Sequence, residues 1–265
     1  MCIMEPNNRR FGLNGSMLKM IAVVTMLIDH IAAVLLVKLL IVNGTWELNG
    51  YSGSRVLNIL TLEHMNMIKI YQLMRDIGRI DFPIYCFLLV EGFMRTSNVK
   101  KYLGRMLFFA LISEIPFDLA FTGQVFYRDY QNVMFTLFWG LLAMYVSQIV
   151  ELKTDKWYVK WFLTALIWLA AAGAAEMMLT DYGAKGVACI FVLYLLRYVK
   201  GLQLLGGALA FSWEFPAPLS FLFIALYNGE KGRSLKHFFY GFYPVHLMVL
   251  YLVSVVLGMG NLAVI

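Results

Sequence analysis

Long apolar runs separated by short polar ones set the pattern of this chain. The first run extends from Met17 to Leu40. A membrane span needs about 20 mostly apolar residues, so this run predicts a crossing. Runs over 80–96, 102–121, 132–150, 161–179, 186–199 and 238–258 predict six more. Residues 41–55 are polar and rich in Gly and Asn, as an outer loop would be. Over 56–76, Leu57, Leu60, Met67, Ile68, Tyr71 and Met74 alternate with Glu63, His64, Lys69 and Arg75, a pattern that fits an amphipathic interfacial helix. Residues 202–227 are broken by Pro216 and Pro218. A single span there would put Lys231, Arg233 and Lys236 outside, against the positive-inside rule, whereas a short or re-entrant helical pair keeps them inside. The expected fold is all-α, one polytopic transmembrane helical bundle over residues 1–265 with about nine hydrophobic crossings.

Composition agrees with that pattern. Hydrophobic residues make up 61% of the chain and charged residues 14%, and the mean hydropathy is +0.71. A soluble domain has roughly 45–50% apolar and 25% charged residues, so no room is expected for a separate soluble domain. Arg9 and Arg10 precede the first run with no small-residue cleavage pattern, and that run is too long for a signal peptide, so it is expected to remain. The net charge of +6 comes largely from clusters such as Arg95, Lys100, Lys101 and Arg105, or Lys153, Lys156 and Lys160. Such clusters mark cytoplasmic loops rather than a nucleic-acid partner. The expected location is a bacterial cell membrane, multi-pass, with the N-terminus cytoplasmic, the C-terminus outside, and membrane lipid as the surrounding partner. Oligomeric state is not encoded in this pattern, because lipid-facing and partner-facing surfaces are composed alike. Cys2, Cys86 and Cys189 are scattered without a CxxC pair, which indicates neither a disulfide framework nor a metal site.

The charged and titratable residues inside the apolar runs change the picture. Asp29 and His30 lie in the middle of the first run. An Asp at bilayer depth costs roughly 2.5–3.5 kcal/mol on insertion scales. Glu91, Glu114, Asp118 and His246 fall within or at the edges of other runs. Taken singly, each has a plain structural explanation: a histidine bonded into helix packing, or a Glu reaching interfacial water. Together they cannot all face lipid and are expected to converge on a bundle interior or a water-filled cavity. Asp29 and His30 leave their helix about 100° apart, so they need not bond each other. We expect His30 to face a substrate cavity and Asp29 to be held by an arginine of another helix, such as Arg79. Arg75 and Arg79 flank Gly78 ahead of the second run. Short polar runs stand at segment ends, including Gln131-Asn132 and Asp181-Tyr182-Gly183, and the Tyr-Gly step of the latter is ordinary turn chemistry. Read from residues alone, the chain is a helical bundle with a polar interior, which fits an acyltransferase and also a proton-coupled carrier of small solutes.

The stretches LKMIAVVTMLIDHIAAVL, MRDIGRIDFPIYCFLLVEGFMRTSNVKKYLGRMLFFALISEIPFDLAF, QNVMFTLFWGLL, DYGAKGV, ALYNGEKG and FYGFYPVHLMVL together resemble the TraX family, in the family's order and across most of residues 17–258. Residues 41–73 match least. The resemblance implies an integral membrane acyltransferase of the pilin N-acetylase type, grouped with wider polytopic acyltransferases that take an acyl group from cytosolic acyl-CoA. It adds weight to Asp29, His30, Arg79, Glu91, Glu114, Asp118 and His246, which lie in the matching stretches.

On this reading acetyl-CoA is the acyl donor, and the acceptor is an amine or hydroxyl of a peptide, glycan or lipid. Arg95, Lys100, Lys101 and Arg105 are the candidate cofactor-binding residues at the cytoplasmic mouth. His30 is the expected general base, assisted by Asp29. Arg79, with Gln131 and Asn132, is expected to stabilise charge on the carbonyl oxygen. Glu91 and Glu114 complete the candidate catalytic set, and Asp118, Gln131, Asn132 and His246 the candidate substrate-binding set.

Overall fold

The computed structural model describes residues 11–44, 46–47, 55–56, 62–233 and 236–265. Most of the expected outer loop and the side chains of Glu63 and His64 lie outside the described residues. The described chain is helical, apart from a two-residue antiparallel ladder that pairs Trp46 with Val56 and Glu47 with Arg55.

Helix α1 spans Gly15–His30, and its Asn14 cap accepts a hydrogen bond from the Met17 amide at 3.0 Å. A π-helical stretch, Ile31–Leu36, carries the same rod into α2, Val37–Val42. Helix α3, Leu62–Gly78, turns directly into α4, Asp81–Arg95. The Asn98 side chain caps α5, Val99–Thr122, which ends at Gly123 in the left-handed region. Helices α6, Val133–Lys153, and α7, Trp157–Met177, form a hairpin that continues into α8, Gly183–Leu195. Helix α9, Lys200–Ala210, returns through a turn and a 3₁₀ segment, Ala217–Leu219, into α10, Ser220–Ala225. Helix α11, Lys236–Val256, closes the bundle against α5 and the α1 rod.

Among the described residues, four helical segments have the length and apolarity to cross a membrane: Gly15–Val42, Val133–Lys153, Trp157–Met177 and Phe238–Val256. That is fewer than the nine crossings expected. Helices α4, α8, α9 and α10 have 15, 13, 11 and 6 residues, short of the roughly 20 that a perpendicular span requires. Helix α5 is long enough but carries Lys100, Lys101, Arg105, Glu114 and Asp118. Residues 202–227 fall on α9, a turn with the 3₁₀ segment at the prolines, and α10. Helix α7 buries little of its surface and exposes Trp161, Phe162, Leu166 and Leu169, a face suited to lipid.

Backbone ties fasten both ends of the bundle. At one end, Leu13 N donates to Leu226 O at 2.8 Å and Asn228 N to Leu13 O at 2.9 Å. At the other, Gln131 N donates to Leu179 O at 3.0 Å and Asp181 N to Gln131 O at 2.8 Å. The second tie sets the loop before α6 beside the turn into α8. In the core, α4 is covered by α1, α6, α8 and α10, and its inner face (Ile84, Cys86, Phe87, Val90) is buried.

Candidate active site

One cavity of about 1330 Å³ runs through the bundle, lined by residues from α1, α3, α4, α5, α6 and α11 together with the connecting turns. At one end lie Asp29, His30, Arg75, Arg79, Asp81, Tyr130, Asp181 and Tyr182. At the other lie Lys19, Arg95, Lys101, Arg105 and Lys231, beside the first residues of α5 and their Asn98 cap. The ends differ in charge because they lie at opposite ends of α4: Asp81 begins that helix and Arg95 ends it.

The inner end is a network of ion pairs and hydrogen bonds. Arg75 Nη1 meets Asp29 Oδ2 at 2.6 Å. Close approach of α3 to α1 makes this pair, and Gly78 permits the approach: a Cβ at that position would run into the Asp29 side chain. Arg79 pairs with Glu214, from the turn after α9, at 3.0 Å. Asp29 is therefore held by an arginine of another helix, but that residue is Arg75 and not Arg79. Tyr130 donates its hydroxyl to Asp181 Oδ1 at 2.6 Å, an alignment set by the backbone tie between Gln131 and residues 179–181. Burial pushes the Asp181 carboxyl up, against the Tyr130 hydroxyl and the charges of Arg79 and Arg75. The Tyr182 ring stacks on Phe82 with centroids 3.8 Å apart, and its φ of 65° is unusual for a residue with a side chain.

His30 lines this end of the cavity. Its Nδ1 lies 2.6 Å from Nε2 of His246 on α11, and His246 Nδ1 lies 2.7 Å from the carbonyl oxygen of Phe242. Eight residues beyond each histidine, Lys38 Nζ approaches Ser254 Oγ at 3.5 Å. The two contacts tie the α1 rod to α11.

Several expected site residues belong elsewhere. Asn132 is fully buried and caps α6 through the Met134 amide, at 3.0 Å. Its amide nitrogen donates to Ala110 O at 2.9 Å and to the Glu114 carboxylate. Asp118 accepts from Tyr127 N at 2.8 Å, and Gln131 Nε2 donates to the carbonyls of Tyr127 and Arg128. Glu114, Asp118, Gln131 and Asn132 thus brace the α5–α6 connection, and none of the four lines the cavity. The physical reason is that helix ends and the turn between them leave peptide groups that must find partners, and these side chains supply them. Glu91 lines the mouth, paired with Arg95 at 2.6 Å one turn along α4, rather than joining His30. His246 touches His30 but does not line the cavity, and exposed Lys100 lies outside the lining while Arg95, Lys101 and Arg105 are part of it.

Asp81, Tyr130, Asp181, Tyr182 and Glu214 escaped the sequence reading. In sequence, Asp181-Tyr182-Gly183 has the look of turn chemistry, and it does form the turn into α8. The available signal was a carboxylate beside an aromatic residue at the junction of two apolar runs. Lys19 and Lys231 join the mouth because the Leu13–Tyr227 tie brings residues 15–19 beside residues 227–231. Among the described residues, no group of three or more His, Cys, Asp or Glu side chains is arranged to hold a metal ion.

Comparison with known proteins adds to this geometry. A protein described as probable fimbrial assembly protein FimC, serogroup H1, from Dichelobacter nodosus is 29% identical over 275 aligned positions, covering 92% of this chain and 96% of that protein. No solved structure matches. The TraX protein family model matches residues 14–254, a stretch that contains every cavity residue named above, and the chain belongs to the TraX family.

Proposed function

We propose that this protein is an integral membrane acyltransferase that takes an acetyl group from cytosolic acetyl-CoA and delivers it to an amine or hydroxyl acceptor. The observation that carries this reading is one continuous cavity that joins a cationic mouth to a half-buried histidine. The elongated donor requires both features. Its phosphates are matched by Arg95, Lys101, Arg105, Lys19 and Lys231 at the mouth, next to the amino end of α5. The pantetheine arm fits the apolar middle of the cavity, between Leu88, Leu89, Met106 and Phe109. The thioester then reaches the inner end.

There, the His30 imidazole accepts the proton of the acceptor as its nitrogen or oxygen bonds to the thioester carbon. The carbon–sulfur bond breaks, and the CoA thiolate leaves with the proton that the imidazole returns. Arg79 and Arg75 supply positive charge near the carbonyl oxygen as it becomes anionic. Asp29 keeps Arg75 in place through their 2.6 Å contact.

The same reading sets the chain in a bacterial cell membrane as a multi-pass protein, with the mouth and the N-terminus cytoplasmic and the C-terminus outside. Helices α4 and α8 and the α9–α10 pair would form a thin core within the longer apolar helices, with α4 lining the cavity. The fimbrial-assembly name of the D. nodosus relative makes a surface-appendage subunit the first acceptor to test.

The test is incubation of the purified protein with isotope-labelled acetyl-CoA and membrane extract, followed by mass spectrometry of peptides, glycans and lipids. Label should appear in one acceptor class, and His30→Gln should abolish it. Transfer by His30→Gln at the unaltered rate would sink the assignment of the base. Solute flux into proteoliposomes with no CoA requirement would favour a carrier instead.

A further inference from the structure

The pairing of His30 with His246 fixes more than the position of a ring. His246 Nδ1 lies 2.7 Å from the Phe242 carbonyl oxygen, an atom that can only accept. That nitrogen therefore carries a hydrogen. Among the described residues, no carboxylate is hydrogen-bonded to either imidazole, so nothing there compensates a charge on the pair and the neutral form of both rings is favoured. A neutral imidazole has one N–H, which leaves His246 Nε2 bare. This bare nitrogen lies 2.6 Å from His30 Nδ1, and a contact that short requires one hydrogen between the two. It belongs to His30.

The ring geometry agrees. The two planes are within 11° of each other and the centroids are 4.9 Å apart. With the nitrogens at 2.6 Å, the rings meet edge to edge in nearly one plane, the arrangement that points an N–H along a lone pair.

We propose that His246 is a positioning residue: as a neutral acceptor anchored to the Phe242 carbonyl, it holds His30 in the Nδ1–H tautomer and leaves His30 Nε2 as the free base of the cavity. The proposal rests on the reading of His30 as the general base. His246 is 5% exposed and does not line the cavity, so it acts only through its neighbour. It fills the place that a carboxylate occupies in many catalytic dyads, without adding a buried charge. Asp29, the adjacent carboxylate, is engaged by Arg75 instead. The orientation comes from regular helix geometry, because Phe242 lies four residues before His246 on α11.

The test is nitrogen-15 NMR of the full chain labelled at histidine, with signals assigned from His30→Gln and His246→Gln. In the wild type, His30 should show a protonated Nδ1 and a pyridine-like Nε2. His246→Leu removes the acceptor, so the His30 tautomer should redistribute and release of CoA from acetyl-CoA in membrane extract should slow by about 10²–10⁴-fold, with KM for acetyl-CoA unchanged. His246→Gln keeps an acceptor oxygen within reach and should restore most of the rate. A wild-type His30 protonated at Nε2 overturns the proposal, as does His246→Leu with an unaltered rate and tautomer. Because the wild-type spectrum decides the tautomer directly, an unstable variant does not block the test. A fully active His30→Gln would instead remove the general base itself, whatever tautomer the spectrum shows.

Discussion

Two polar clusters inside this bundle each hold two carboxylates and have opposite characters. One surrounds His30, with Asp29, Arg75, Arg79 and Asp181. The other surrounds Asn132, with Glu114, Asp118 and Gln131. In the second, each side chain makes hydrogen bonds to backbone of α5, α6 or the connection between them, and none lines the cavity. In the first, partners come from α1, α3, α11 and two turns that are distant in sequence, and the group lines open space. A polar residue buried among apolar helices is available for chemistry only when the local backbone has not already claimed it.

Mutations that treat the two clusters alike should separate them. The largest effect is expected for His30→Gln: acetyl transfer should fall by about 10²–10⁴-fold while the thermal unfolding midpoint in detergent stays near that of the wild type. Next, Arg75→Met removes the partner of Asp29 and leaves a carboxylate stranded in the bundle. A loss of roughly 3–5 kcal/mol is expected, measurable by chemical unfolding, and Arg75→Lys should recover part of it. An Arg75→Met protein as stable as the wild type would show that Asp29 needs no compensation.

On the other side of the comparison, Asn132→Ala deletes a helix cap and a buried donor. It should cost about 1–3 kcal/mol of stability. The protein that remains folded should transfer acetyl groups at the normal rate per molecule, and a specific rate as low as that of His30→Gln would erase the distinction between the clusters. The smallest effect concerns the mouth. Lys101→Ala should raise the KM for acetyl-CoA several-fold, and more so at low ionic strength, whereas Lys100→Ala should leave it unchanged. Titration of each variant with acetyl-CoA at two salt concentrations tests this difference.

The contrast also explains how much of the site was legible in the sequence. Asp29 and His30 stood out because Met17–Leu40 is otherwise strongly apolar, with Lys19 and Lys38 the other charges in it. Their separate directions followed from helix geometry. Arg75 was visible as a flanking charge, but its pairing with Asp29 depends on how closely α3 packs on α1, and Gly78 sets that distance. An Asn before an apolar run looks the same in sequence whether it caps a helix, as Asn132 does, or meets a substrate. Asp181 and Tyr130 meet only because a backbone tie joins residues 131 and 180, and no local pattern reports that tie.

By itself the sequence determined the helical class, the approximate limits of most helices, the break near Pro216 and Pro218, and the presence of costly charge at depth. Those properties follow from local hydropathy, capping residues and prolines, which act within a few turns of chain. Only the tertiary structure decided which polar groups share a cavity, which arginine holds Asp29, and that His30 leans on His246 rather than on its neighbour in sequence. Such pairings depend on contacts between segments as many as 216 residues apart, and they are fixed by how closely and at what rotation the helices pack. The apolar pattern leaves both of those open.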